Sequence, residues 1–207
     1  LTHIRHSEKV FIMKRLLLIL ILTFSFQSFT KADVIMDFEI EGISIGDSIL
    51  KYYNREDLNK FYKINYPNSD KYTGYEIPNY LSKIKFKNYE SITLHYKKND
   101  TSMRVVAVSG IVLYPNNLKK CLRERDLRVE EIKKGLIKYT EEKYETTFGE
   151  DKISKGYMHD LKIDEGSIRI WCTNWSEEVT KDKEWEDDLN IAIDSKSFIY
   201  WVDNKAY

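Results

Sequence analysis

Apolar positions change their spacing along this chain, and each change predicts an element. Residues 16–22 form an unbroken apolar run, continued by Phe24 and Phe26, with Lys14 and Arg15 ahead of it and Gln27-Ser28-Phe29-Thr30-Lys31-Ala32 behind. Next, Phe38, Ile40, Ile43 and Ile45 alternate around Gly42, the period of a short strand. Gly46-Asp47-Ser48 punctuates, and Ile49-Leu50-Lys51-Tyr52-Tyr53 starts a helical pattern for which Asp47 is the expected N-cap. A second short helix is expected over 54–62, and a loop at Tyr66-Pro67-Asn68-Ser69-Asp70.

Strand periodicity then takes over at 83–87 and 90–96, where Ile92, Leu94 and Tyr96 oppose Ser91, Thr93 and His95. Residues 105–113 are almost continuously apolar, as in a strand covered on both faces. Gly110 within them marks a bulge or a close backbone approach. Pro115-Asn116-Asn117 opens the longest helix, with Leu118, Leu122, Val129, Ile132, Leu136 and Tyr139 on one stripe. Gly135 should bend or end it, since a helix running on to Thr147 would be about 45 Å long. Strands return at 157–163 and 167–175 around a turn at 164–166, then at 189–193 after an acidic loop over 182–188. Asp194 or Ser195 would cap a terminal helix in which Phe198 and Val202 lie one turn apart. The expected fold class is α+β: a mainly antiparallel sheet packed against one long helix, with short N-terminal helices and a C-terminal helix.

The first apolar run changes the picture most, because it supplies an address. Positive residues, an apolar core and a small-residue exit are the layout of a secretory signal peptide over 13–32, cut between Ala32 and Asp33. The competing reading is an uncleaved anchor, but a spanning helix wants about 20 apolar residues. No Cys follows the run, so lipid attachment has no acceptor there. Residues 1–12 precede the first methionine, Met13, and read as an upstream extension that is not native. Residues 33–207 are then one periplasmic or secreted domain. The removed part holds five basic residues and one acidic one, which leaves 28 basic and 32 acidic side chains, a net of about −4. That weakly acidic balance argues against nucleic acid, whose phosphates are held by Lys and Arg clusters. Contact with a membrane is expected only through the signal peptide before cleavage, and no cofactor is indicated.

Export places Cys121 and Cys172 in an oxidising compartment, where two thiols usually make one disulfide. Cys172 shares a strand face with Ile168 and Ile170, and Cys121 neighbours Leu118 and Leu122 on the helix stripe, so packing helix on sheet would bring them together.

Gly46-Asp47-Ser48-Ile49-Leu50 after a short strand resembles the nucleophile block of the GDSL esterases, which would make Ser48 a nucleophile. That family adds an Asp-x-x-His block near the C-terminus. Here neither His95 nor His159 has an acid three residues before it, and Lys98-Asn99-Asp100 lacks the glycine that precedes the family's Asn. A capped helix start is the plainer reading. His95 falls on the polar register of its strand, and His159-Asp160 point to opposite faces of theirs, so neither is an evident catalytic or metal group and no metal is expected. Asp182, Glu184, Glu186, Asp187 and Asp188 could hold calcium, but no glycine makes the tight turn of such a loop. Trp171, Trp175, Trp185 and Trp201, with 15 tyrosines, could form an aromatic binding surface, and Trp171 and Trp175 share one strand face. Cover by the terminal helix is the competing fate for those two.

Residues 37–48 (Asp-Phe-Glu-Ile-Glu-Gly-Ile-Ser-Ile-Gly-Asp-Ser), 172–178 (Cys-Thr-Asn-Trp-Ser-Glu-Glu) and the closing 201–207 resemble a group of small exported proteins of unknown function in Gram-negative marine bacteria. The resemblance implies an extracytoplasmic α+β domain with this cysteine pair and carries no activity. The expected function is a non-catalytic periplasmic binding or envelope-associated module for a protein, peptide or glycan. The alternative is a small serine hydrolase using Ser48.

Overall fold

The computed structural model describes residues 35–67, 69–148 and 152–206. The expected extension, leader and cut before Asp33 lie outside the described residues, as does Asn68 of the expected loop. In chain order a ribbon comes first, β1 (Glu39–Ile40) and β2 (Ile43–Ser44), joined by Glu41 and Gly42, both at positive φ. Positive φ at both central residues is the geometry of the tight hairpin turn that suits strand twist, and glycine adopts it without steric cost. A helical turn α1 (Arg55–Leu58) follows, opened by a capping box between Asn54 and Asp57. Then come β3 (Tyr62–Tyr66), β4 (Ser69–Pro78), β5 (Ser91–Lys97), β6 (Val105–Leu113) and the helix α2 (Leu118–Gly135). The chain closes with β7 (Thr140–Thr147), β8 (Lys155–Ile163), β9 (Gly166–Asn174), α3 (Glu177–Lys183), β10 (Asp188–Ser195) and α4 (Lys196–Lys205).

Eight of these strands make one antiparallel sheet in the order β3-β4-β5-β6-β10-β9-β8-β7. Register assigns its two faces. Leu189 opposite Cys172 and Ile191 opposite Ile170 point one way, into a core shared with Val129 of α2 and the N-terminal residues Ile40, Ile43 and Ile49. Cys121 of α2 and Cys172 of β9 are disulfide-bonded, with Cα atoms 6.0 Å apart. On the other face α4 sets Phe198 and Trp201 against Tyr72 and Ala107 in a smaller cluster. Gly110 answers to a close approach, because a Cβ there would collide with the Tyr89 ring.

The expected layout of the fold is overturned, although helices and antiparallel strands both occur and the coarse description α+β stands. The sheet dominates, with eight strands and a separate two-stranded ribbon. The two expected N-terminal helices shrink to a 3₁₀ turn at Ile49–Lys51 and to the four residues of α1, and a further 3₁₀ turn not expected from the sequence lies at Ile35–Asp37. Residues expected to be helix or loop over 54–70 supply β3 and the start of β4 instead. The strand expected at 83–87 is irregular chain, tied down by Asn79, whose side chain bonds both N and O of Phe86. Gly135 ends α2, and the polar segment beyond Tyr139 is the edge strand β7. Charged edges of that kind discourage pairing with another chain. At the start of the first 3₁₀ turn after β2 the N-cap is Ser48, not Asp47.

Candidate functional site

The face of the sheet opposite α2 is where polar side chains gather. Register places Glu76 of β4, Thr93 of β5 and Ser109 of β6 side by side on it, and one pair further along sets Asn190 of β10 beside Trp171 of β9. At one end this strip runs beneath α4. At the other it meets the connection between β9 and β10, which carries α3.

That connection builds an aromatic corner. Ser176 caps α3 by accepting from the Val179 amide, and Glu184 ends it in the left-handed region at φ 57°. A residue in that conformation turns the chain sharply. The reversal lays Trp185 against Trp175, ring centres 4.7 Å apart and steeply inclined. Trp175 is anchored twice, its amide donating to Asp187 Oδ1 at 2.9 Å and its Nε1 to Asp188 Oδ2 at 3.4 Å. Trp185 stays 48% exposed.

Between this corner and the sheet lies a cleft of about 450 Å³, walled by the two indoles and by the carboxylates of Glu76, Glu90, Glu184, Glu186 and Asp188. No Lys or Arg among the described residues lines it. Burial raises the Glu76 carboxyl above its usual range. Burial also lifts Asp188 to about 6, reinforced by Asp187 and opposed by hydrogen bonds from Thr173, Trp175 and Asn190. Asn190 Nδ2 donates to Asp188 Oδ1 at 2.5 Å. Unneutralised carboxylates beside aromatic faces suit an organic cation, which both attract.

The residues singled out in the sequence are dispersed. Ser48 Oγ donates to the Ser102 carbonyl at 2.6 Å and accepts from the Leu50 amide at 3.2 Å. The neighbouring Asp47 carboxylate accepts from Tyr52 Oη at 2.7 Å and from the Ser44 amide at 3.1 Å, and the Tyr52 bond leads in holding its pKa down. His95 lies 4.8 Å from the Phe198 ring centre, with Nε2 2.8 Å from Tyr66 Oη. Burial first, then Arg169, lowers it to about 3, so the ring is neutral. His159 faces the α2 side, its Nε2 2.7 Å from Glu141 Oε1, and burial holds its pKa down against that carboxylate. Neither histidine is paired with Ser48. Among the described residues no group of three or more His, Cys, Asp or Glu side chains is placed to hold a metal. Trp201 belongs to α4 and is buried between that helix and the sheet, whereas Trp175 stands past the end of β9 and away from that helix's cluster. Sequence reasoning named Trp175, Trp185 and the acidic loop separately. It missed Glu76 and Glu90, which the sheet brings to the same cleft.

No protein-family model, no curated protein and no solved structure matches the chain.

Proposed function

We propose that the chain is an exported, non-catalytic binding domain that takes a lysine- or arginine-bearing segment of a protein or peptide into the cleft between Trp175 and Trp185. The observation that carries this reading is two indoles set among five carboxylates with no basic side chain in the lining among the described residues. A cation over an indole face gains about 0.5–2 kcal/mol, more as water leaves. The carboxylates add attraction that salt would screen. Asp188 contributes in a graded way, because an arriving cation favours its ionised form and draws off the proton that burial holds.

Export rests on the leader pattern at 13–32 and on the resemblance to small exported proteins. The Cys121–Cys172 disulfide is compatible with an oxidising compartment. Among the described residues no helix is long and apolar enough to cross a membrane. The test is a tryptophan-fluorescence titration of the full-length, oxidised protein with trilysine, in wild type and in Trp185→Ala. A saturable change that Trp185→Ala weakens about fivefold supports the cleft. An unchanged curve in the variant, or no saturation in wild type, removes it.

A further inference from the structure

A second recess, of about 630 Å³, lies on the same face under α4, where β7, β8 and β9 meet that helix. Two of its lining residues carry a buried polar atom without a hydrogen-bond partner among the described residues, Asp160 Oδ1 and Ser167 Oγ. Asp160 is 5% exposed and Ser167 3%, and both line the recess. Orphaned buried polar atoms are rare because each forfeits its hydration. Two beside one recess leave bonds that a bound hydroxyl group, from water or from a ligand, would supply. They are diagonal neighbours on one face, since Asp160 pairs with Arg169 and Lys162 with Ser167 across β8 and β9. Diagonal neighbours are close enough to reach a single ring.

Charge and shape narrow the ligand. The other Asp160 oxygen accepts from Tyr144 Oη at 3.2 Å, and Arg169 Nε donates to Asp194 at 2.7 Å, so the floor is rigidly held. The lining carries Glu142, Asp160 and Asp203 against Lys162, Arg169 and Lys196. Three charges of each sign leave no net attraction for an anion or a cation, and either would meet its own sign at close range. A carboxylate acceptor, a hydroxyl and a guanidinium together match groups that both donate and accept. Ile163, Ile199 and Tyr200 give the recess an apolar side, and Tyr200 is 62% exposed. A polar floor and an apolar wall fit a ring with hydroxyls at its edge and C–H bonds on its face.

We propose that the recess under α4 binds a neutral saccharide unit, at a site separate from the Trp175–Trp185 cleft. Asp160 Oδ1 accepts from a ring hydroxyl, Ser167 Oγ bonds a neighbouring one, and Tyr200 stacks on the ring.

The experiment is saturation-transfer NMR followed by titration of the full-length, oxidised protein with glucose, galactose, N-acetylglucosamine and cellobiose, beside n-butylammonium and acetate. At least one sugar should saturate with a dissociation constant at or below about 10 mM. Asp160→Asn should weaken it about tenfold, through loss of a charge-assisted bond. Tyr200→Ala, on an exposed helix surface where folding is not at stake, should weaken it about fivefold. The proposal is overturned if none of the four sugars saturates, if both variants bind as wild type does, or if only a charged probe competes for Asp160. Sugar binding that is lost in Trp185→Ala but kept in Tyr200→Ala overturns it too, and leaves the cleft reading standing.

Discussion

Replacing Asp188 by Asn should reverse its effect on stability between pH 4 and pH 7. Asp188 is 8% exposed on β10, and burial raises its carboxyl from 3.8 to about 6. The folded chain therefore keeps this proton to a higher pH than the unfolded chain does. Stability from this group is complete below about pH 4 and is lost as pH rises through about 6. Two units at 1.36 kcal/mol each make the loss about 3 kcal/mol. Asn keeps an oxygen for the Asn190 amide, but its own NH₂ then faces the Trp175 Nε1–H now bound at 3.4 Å, a mismatch of about 1 kcal/mol. The variant should thus be about 1 kcal/mol less stable at pH 4 and about 2 kcal/mol more stable at pH 7. Urea unfolding of both proteins at four pH values reads the difference. Only the difference is diagnostic, since Asp47, Asp57 and Asp70 are shifted downward and tilt the wild-type curve the other way. A pH-independent gap, or a variant that loses ground as pH rises, would refute the reasoning.

Removing the disulfide with Cys121→Ser and Cys172→Ser together should cost about 4 kcal/mol in the chain-entropy model for its separation of 51 residues. Denaturant midpoints of the two proteins check this, and equal midpoints would show that the crosslink restrains nothing. Ser48→Ala removes both the cap on Leu50 and the bond to Ser102, and should lower stability by about 1 kcal/mol. Assaying the same variant beside wild type on short-chain esters separates a cap from a nucleophile, because hydrolysis abolished by Ser48→Ala would reinstate the hydrolase reading.

The sequence was most legible where one face of a strand is buried. In Ser91–Lys97 and Gly166–Asn174 the apolar positions alternate because one face of each strand enters the main core, which α2 covers over the second strand, and the alternation read from them puts Cys172 on the face that Cys121 meets. Thr140–Thr147 escaped notice because almost all of it is exposed. Its Glu and Lys residues favour helix locally, and pairing with β8 overrides that preference. Ile84 and Phe86 misled in the opposite sense, alternating in a segment whose backbone bonds go to a side chain instead of a neighbouring strand. The cleft was half visible: its indoles and acidic loop are one stretch of chain, but Glu76 and Glu90 join them only through strand order. The orphaned atoms of Asp160 and Ser167 leave no trace in sequence, because alternation places a side chain on a face without saying what meets it there.

The central claim is that the Trp175–Trp185 corner is where a cationic partner docks, and indole N–H resonances report on it directly. Trilysine titrated into ¹⁵N-labelled full-length protein at low salt should move the Trp175 and Trp185 indole signals saturably, leave buried Trp201 in place, and lose its effect as salt screens the carboxylates. Indole signals that stay still while other regions shift, or shifts indifferent to salt, would contradict the account.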